Sequence, residues 1–421
     1  MRIRLDYGVN GLEVDLPDER MTTIEPVFRP AVADPHAALV AALRAPIGCP
    51  PLRDVVRPGQ KVAFSVCDIT RAQPRHEMLR ALLEELPHIP PEDITILIAT
   101  GTHRGNTPAE LEKMLGRDIL ARCKVVNHDS RDASTLASVG PTSRSVPMFL
   151  NRSWLLADVR ITTGFVEPHF FAGFSGGPKM VAPGLAGLDT VLVLHDARRI
   201  AHPQATWGVT EGNPIHDDVR EIARMTGVHF AVDVTLNREQ KITGVFAGEL
   251  FAEHRAACAA ARRDAMAPVD APFDVVLTTN SGFPLDQNLY QAVKGMSAAA
   301  KVVKPGGTII CAAECSDGLP EHGAYGQVLK SRPTPAALLE MINSPGYRVA
   351  DQWQVQIQAQ VQMKARVLVK ASGLSPAEVR AAHFEPVDDV AAAVRETLSA
   401  AGSAATLCVL PQGPQTIPYL R

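Results

Sequence analysis

The chain has 421 residues, 46% of them apolar and 21% charged, with a net charge of −3. That length suggests two or three domains at roughly 100–200 residues each. The charge balance offers no basic surface for nucleic acid or an anionic membrane, and no apolar run approaches the ~18 residues of a membrane-spanning helix. The seven cysteines are an odd, scattered set rather than a disulfide framework. Cys311 and Cys315 lack a second Cys or His pair to complete a zinc site and read as buried thiols. The opening Met1–Asp6 has strand-like alternation and no signal-peptide core. These features together point to a cytoplasmic protein with reduced thiols.

In chain order, residues 2–16 read as a hairpin: Ile3 and Leu5 alternate, Asn10-Gly11 turns, and Leu12, Val14 and Leu16 alternate again. Residues 34–45 form a helix with Asp34 as N-cap and Pro35 in its first turn. Strands follow at 61–66 and 93–99. An amphipathic helix over 75–86 separates them, and Thr107-Pro-Ala-Glu110 opens another helix with a capping box. Val125-Val126 and 158–163 are further strands. Helices are expected over 188–200 and 214–226, then a hairpin at 228–236 and 241–247, then a helix over 250–265. The prolines of 266–272 mark a domain boundary. A second strand–helix series begins at 273–279, with a helix over 287–303 and a strand at 308–313. Residues 352–364 fit either period and are assigned to a helix on length. A strand-like piece, Thr406–Pro411, is left open between the two domains.

Strand, polar loop and helix recur, so the fold class is α/β: two α/β domains with mainly parallel sheets, residues 1–270 and 271–421. Ligands of such sheets bind beyond the carboxyl ends of the strands. Asp68, Thr70, Arg71, His103 and His169 all follow directly after predicted strands and should converge there. Between 164 and 184 the chain packs His169, the turn Ser175-Gly176-Gly177 and Lys179 into an apolar run. Lys179 suits a phosphate contact or a covalent attachment. The histidines suit acid/base work near neutral pH. His195, on an apolar helical stripe, reads as either a core histidine or a metal ligand. Arg71 either pairs with Asp68 or clamps a carboxylate. Tyr290 and Lys294, four apart, share a helical face. The glycine spacing fits neither a P-loop nor a dinucleotide fingerprint.

Asp68-Ile-Thr-Arg71, Gly101-Thr-His103, Pro168-His-Phe-Phe-Ala-Gly-Phe-Ser-Gly-Gly-Pro-Lys179, His195, Gly212-Asn-Pro214 and Leu289-Tyr-Gln-Ala-Val-Lys294 together resemble the lactate racemase family. The match runs from about residue 60 to 320, with the motifs in family order. The resemblance implies a racemase or epimerase of 2-hydroxy acids, using a nickel-pincer nucleotide bound between two α/β domains. Hydride passes to and from that cofactor through a 2-oxo acid. In that light Lys179 tethers the nucleotide and His195 is the protein's nickel ligand. His103 and His169 are the two acid/base histidines. Arg71 and Lys294 anchor the substrate, with Tyr290 and Gln291 lining the site. Asp68 and Thr70 lie on the cofactor side, and Ser175, Gly176 and Gly177 form a phosphate cradle. The implied partners are a small 2-hydroxycarboxylate (lactate, a longer hydroxy acid, malate or a sugar acid) and the enzymes that build the cofactor. Two other readings stay open: a lyase or aldolase forming a Schiff base on Lys179, and a non-enzymatic nickel- or nucleotide-binding protein.

Overall fold

The computed structural model describes residues 1–320 and 323–421, which form two compact units. The first unit is Phe28–His195 with His202–Asp264; the second is Met1–Val27, Asp196–Ala201 and Ala265–Arg421.

Among the described residues, the first unit's main sheet has six strands, in the order Ile242–Gly248, Phe230–Leu236, Val159–Phe165, Val62–Cys67, Ile94–Ala99 and Lys124–Asn127. All neighbours are parallel except the edge strand Ile242–Gly248. The apolar runs that predict these strands are continuous because both sheet faces are covered. Phe64, Val66, Ile96 and Ile98 join Leu39, Leu79 and Leu82 in one cluster. Ala63, Leu97 and Ala231 join Val181, Leu185 and Ile222 in another. This is the two-residue alternation of a pleated strand dividing side chains between two helical layers. Helix starts follow local capping chemistry: Asp34 accepts the Ala37 amide at 2.9 Å, and Thr107 with Glu110 forms the expected capping box.

The second unit's main sheet runs Glu385–Pro386, Arg366–Lys370, Val303–Ala312, Phe273–Thr279, Leu407–Leu410 and Met21–Thr23, all parallel. Two features depart from the expected division at residue 270. The break falls at Ala265, because Met266–Val269 pairs with Ile417–Leu420. The first 27 residues also belong to the second unit rather than the first. Met21–Thr23 extends the sheet beside Leu407–Leu410, and the hairpin's Ile3, Leu5 and Val14 pack with Val275, Leu277 and Val394. The strand left open at Thr406–Pro411 is thus internal to the second sheet.

The helix expected over 188–200 is interrupted. Leu188–Leu194 stops at His195 (φ −108°, ψ 25°), and Ala197–Ile200 restarts with Asp196 as cap. The helix expected over 287–303 ends at Ala299, and the next strand begins at Val303, through Pro305-Gly306-Gly307. Gln352–Lys364 is a helix in which Gln352, Gln354, Gln356 and Gln358 are buried. Gln356 Nε2 donates to the Ala197 carbonyl at 2.8 Å, and Gln358 Nε2 to that of Ala382 at 2.8 Å. These bonds offset part of the cost of burying the amides, while Gln354 Oε1 and Gln356 Oε1 are buried without a partner among the described residues. Polar and apolar residues are buried alike, which is why neither period stands out in that segment. Cys311 and Cys315 are buried free thiols. No described helix is long and apolar enough to cross a membrane.

Candidate active site

Three adjacent parallel strands of the first unit, Val159–Phe165, Val62–Cys67 and Ile94–Ala99, release their chains at one edge of the sheet. Asp68 follows the middle strand. Its carboxylate is 2% exposed, receives Thr70 Oγ1 on Oδ1 at 2.7 Å, and meets His103 Nδ1 with Oδ2 at 2.7 Å. Burial pushes the Asp68 pKa up. The His103 hydrogen bond and charge, Arg71 and Thr70 outweigh that push and hold the carboxyl below its ordinary value. An ionised Asp68 accepts the Nδ1–H hydrogen bond of His103, which puts the neutral ring's lone pair on Nε2. His103, Thr70 and Arg71 are exposed.

Two residues that the sequence reading passed over hold this loop. Arg75, 7% exposed, donates from Nε to the Cys67 carbonyl at 2.7 Å. Its terminal nitrogens reach the carbonyls of Gln73 at 3.0 Å, Arg71 at 2.7 Å, and Asp68. One planar fork thus satisfies four backbone acceptors in the turn that carries Asp68, Thr70 and Arg71. The Gln73 side chain accepts the Cys67 amide at 2.7 Å and donates to Thr163 Oγ1 at 2.8 Å, tying the turn to the neighbouring strand. Arg75 reads in sequence as an ordinary first-turn helix residue, so nothing local marks it. Arg75→Met should cost about 2–4 kcal/mol, since it strands buried acceptors that only a charged fork can reach. Urea unfolding of the unloaded protein measures this, and a loss under about 0.5 kcal/mol would show the turn holding itself.

The central stretch makes a tight ladder. Pro168–His169 pairs antiparallel with Gly173–Phe174 across Phe170, Phe171 and Ala172. Gly173 has φ +80°, and a Cβ there would sit 2.1 Å from the Val209 carbonyl oxygen, so only glycine fits. The Ala172 amide donates to His169 Nδ1 at 3.2 Å, so the neutral ring carries its proton on Nε2. His169 is half-buried against Phe171, centroids 4.5 Å apart and edge-on. Phe171 also meets His195, edge-on at 5.1 Å. His195 is 7% exposed, and its Nδ1 pairs with the Val191 carbonyl at 2.8 Å, placing the lone pair of the neutral ring on Nε2. The Gly212-Asn-Pro214 motif serves this same region. Asn213 caps the helix Pro214–Thr226, and its Nδ2 donates to the Phe171 carbonyl at 2.8 Å.

The turn at Ser175-Gly176-Gly177 differs from the expected phosphate cradle. Ser175 Oγ donates to the Phe165 carbonyl and accepts the Glu167 amide, both at 2.9 Å. The Gly177 amide donates to Asp233 Oδ2 at 2.7 Å. Two of the groups assigned to an anion are therefore used inside the protein. The glycines are needed for close backing: a Cβ on Gly177 would lie 2.4 Å from the His254 ring, and one on Gly176 2.8 Å from Val166. The turn is also tied to the sheet edge, since Ser65 Oγ donates to the Met180 carbonyl at 2.7 Å and the Gly101 amide to that of Gly184 at 3.0 Å. The half-buried Lys179 thus stands on the same anchored edge as Asp68 and His103. Burial lowers the pKa of His254 to about 4 and that of His216 well below its usual value, and the Lys179 charge adds to both effects.

Tyr290, Gln291 and Lys294 belong to the second unit, on the helix Leu289–Ala299 capped by Asn288. Gly295 lets this helix meet the end of the strand Phe273–Thr279, where a Cβ would lie 2.0 Å from the Thr279 carbonyl. Tyr290 Oη accepts the Trp353 indole N–H at 3.3 Å. Among the described residues no cluster of three or more His, Cys, Asp or Glu is placed to hold a metal ion. A metal at His195 would need its other donors from a bound group.

Comparison with known proteins covers nearly the whole chain. The family model "Lactate racemase N-terminal domain" matches residues 7–208, and "Lactate racemase C-terminal domain" matches residues 269–417. A lactate racemase of Thermoanaerobacterium thermosaccharolyticum is 34% identical over 425 residues, 99% of this chain and 98% of that protein. A lactate racemase of Lactiplantibacillus plantarum is 35% identical over 371 residues, 87% of each. The solved structure of the lactate racemase apoprotein from T. thermosaccharolyticum superposes with a TM-score of 0.92 at 33% identity, covering 99% of this chain and 100% of that one. A Thermotoga maritima protein structure shares the fold at a TM-score of 0.67 and 20% identity, covering 92% and 98%.

Proposed function

We propose, from the premise that this chain belongs to the lactate racemase family and is an isomerase, that it inverts the α-carbon of a 2-hydroxycarboxylate, lactate or a larger hydroxy acid. The observation that carries this reading is the His103–Asp68 pair, 2.7 Å apart at a strand end of the unit that also holds His169. Inverting either hand of a hydroxy acid calls for a proton acceptor on each side of the carbon. Two histidines near neutral pH supply that.

His103 accepts the hydroxyl proton of one enantiomer at Nε2, and the buried Asp68 carboxylate steadies the imidazolium that results. His169 starts from the opposite tautomer, its Nδ1 held by the Ala172 amide. It presents an Nε2–H donor to the same chemistry, and it serves the other enantiomer as a base at Nε2 in the other neutral tautomer, with its proton on Nδ1 and the Ala172 amide contact released. Arg71 offers a planar fork to the substrate carboxylate, and Lys294 is assigned as a second cation. The buried rings of Phe170, Phe171 and Trp207 keep water from the neighbourhood of His169.

The residues present suit a lysine-tethered nickel-pincer nucleotide. Lys179 would carry the covalent bond and His195 Nε2 would offer one nitrogen to nickel, whose remaining donors would come with the nucleotide. When bound, such a group supplies reversible uptake of the α-hydrogen as hydride, which no side chain provides.

The reading is tested with protein produced alongside cofactor-building enzymes. Enantiopure lactate, longer hydroxy acids, malate and sugar acids are each incubated with it and resolved by chiral chromatography. Loss of optical purity in at least one is expected. Protein carrying the adduct on Lys179 that leaves every one unchanged would refute the assignment. Asp68→Asn should lower kcat by about 10²–10⁴-fold, because the amide no longer fixes the His103 tautomer. The pH dependence has a definite sign. The depressed Asp68 pKa contributes stability above the ordinary carboxyl range and loses it as pH falls through the lower folded-state value. Asp68→Asn should therefore flatten the acid limb of thermal stability, as followed by Tm against pH.

A further inference from the structure

Behind the Lys179 turn lies a group of buried titratable side chains that the reaction does not use. Asp233, mid-strand in Phe230–Leu236, is 1% exposed, and its Oδ2 accepts the Gly177 amide at 2.7 Å. Room for its carboxylate comes from Gly164 and Gly176, where a Cβ would lie 2.6 Å and 2.9 Å from its oxygens. Glu253, in the first turn of the helix Leu250–Ala265, is fully buried and faces Asp233 within hydrogen-bonding reach. Neither Glu253 oxygen meets an N–H or hydroxyl donor among the described groups. Two buried carboxylates cannot both stay charged at such a separation.

We infer that Asp233 and Glu253 share a single proton, held on Glu253, and that this pair positions the turn presenting Lys179; the inference rests on reading Lys179 as the attachment point. Asp233 is the charged partner because it already accepts an amide N–H. Glu253 donates to it and is otherwise without a donor. Burial supports the sharing, pushing Asp233 up to about 7 and Glu253 well above the carboxyl range.

The surrounding charges leave the second carboxylate uncompensated. His254 and His216, stacked at 5.6 Å, are kept neutral by burial. Cys258, its Sγ 3.5 Å from His254 Nε2, is kept protonated, and Glu249 adds a further negative charge. Lys179 and Arg220 act on the two histidines, and Arg262 on Cys258. The turn is thus gripped on two sides. Asp233 takes the Gly177 amide, and His254 Nε2 donates to the Ser175 carbonyl at 2.9 Å.

Three measurements test the pair. Infrared spectra of the unloaded protein at neutral pH should show the C=O stretch of a protonated carboxylic acid, lost in E253Q. Thermal stability of the unloaded wild type should fall as pH rises above the ordinary carboxyl range, because the unfolded chain releases the proton that the folded pair keeps. E253Q, with a permanent donor, should lack that slope. In protein made with cofactor-building enzymes, intact-mass spectrometry should show E253Q loading Lys179 as well as wild type. E253L, folded but with no donor, should load about tenfold less, since displacing a reacting group by an ångström is costly. A missing acid band in wild type, or undiminished loading of folded E253L, overturns the inference. Wild type with no adduct on Lys179 overturns instead the reading of Lys179. The infrared and pH measurements then still decide whether the proton is shared.

Discussion

Replacing His103 with alanine should reduce racemisation by about 10³-fold or more, equally in both directions, since a general base contributes about 10²–10⁴-fold and Asp68 loses its partner. The symmetry is required by thermodynamics. The equilibrium constant between enantiomers is one, so kcat/KM cannot fall in one direction alone. Asymmetry should instead show in single turnovers. Conversion to the 2-oxo acid should persist for the hand served by His169 and vanish for the other. Chiral chromatography of quenched single-turnover mixtures separates the two cases. More than a tenth of wild-type racemisation in His103→Ala would remove His103 from the reaction. Because its side chain is exposed and its hydrogen bond joins two surface-edge loops, the substitution should leave the core of the first unit intact, which thermal unfolding can check.

The second large effect is expected at Lys179. Lys179→Ala should abolish any covalent adduct and lower nickel stoichiometry to near zero. Intact-mass spectrometry and metal analysis, on protein made with the cofactor-building enzymes, provide both readings. Lys179→Arg is the sharper variant. It keeps the charge beside His216 and His254 but cannot form the same bond, because the guanidinium does not lose its proton to become a nucleophile. Loaded, active Lys179→Arg would eliminate covalent attachment. Loss of the adduct in both variants, with the fold retained, separates a tether from a phosphate contact, which arginine would preserve.

The placement of several candidate site residues was legible from residue order because they follow directly on strand ends. Asp68, Gly101–His103 and His169 each stand just beyond an apolar run, and parallel strands deliver such loops to one edge. Asp34, Thr107 and Asn213 mark helix starts by their own hydrogen-bonding, which acts within three residues and so can be read locally. Other features had no local signal. His195 reads as one residue of a continuous helical stripe, yet it terminates the helix. Ser175, Gly176 and Gly177 read as an anion cradle, yet the Ser175 hydroxyl and the Gly177 amide turn inward to Phe165 and Asp233. Steric need for close backing and need for an anion select the same small residues, and sequence does not separate them.

The sequence by itself determined the α/β class, most element positions, and which residue types could carry acid/base chemistry, because hydrophobic period, caps and turns are short-range properties. Only the tertiary structure decided which strands pair. It moved Met1–Val27 to the second sheet beside Leu407–Leu410 and set Asp233 against Glu253. Those outcomes depend on contacts between residues tens to hundreds of positions apart. Their strength comes from burial and desolvation, which no local pattern of side chains records.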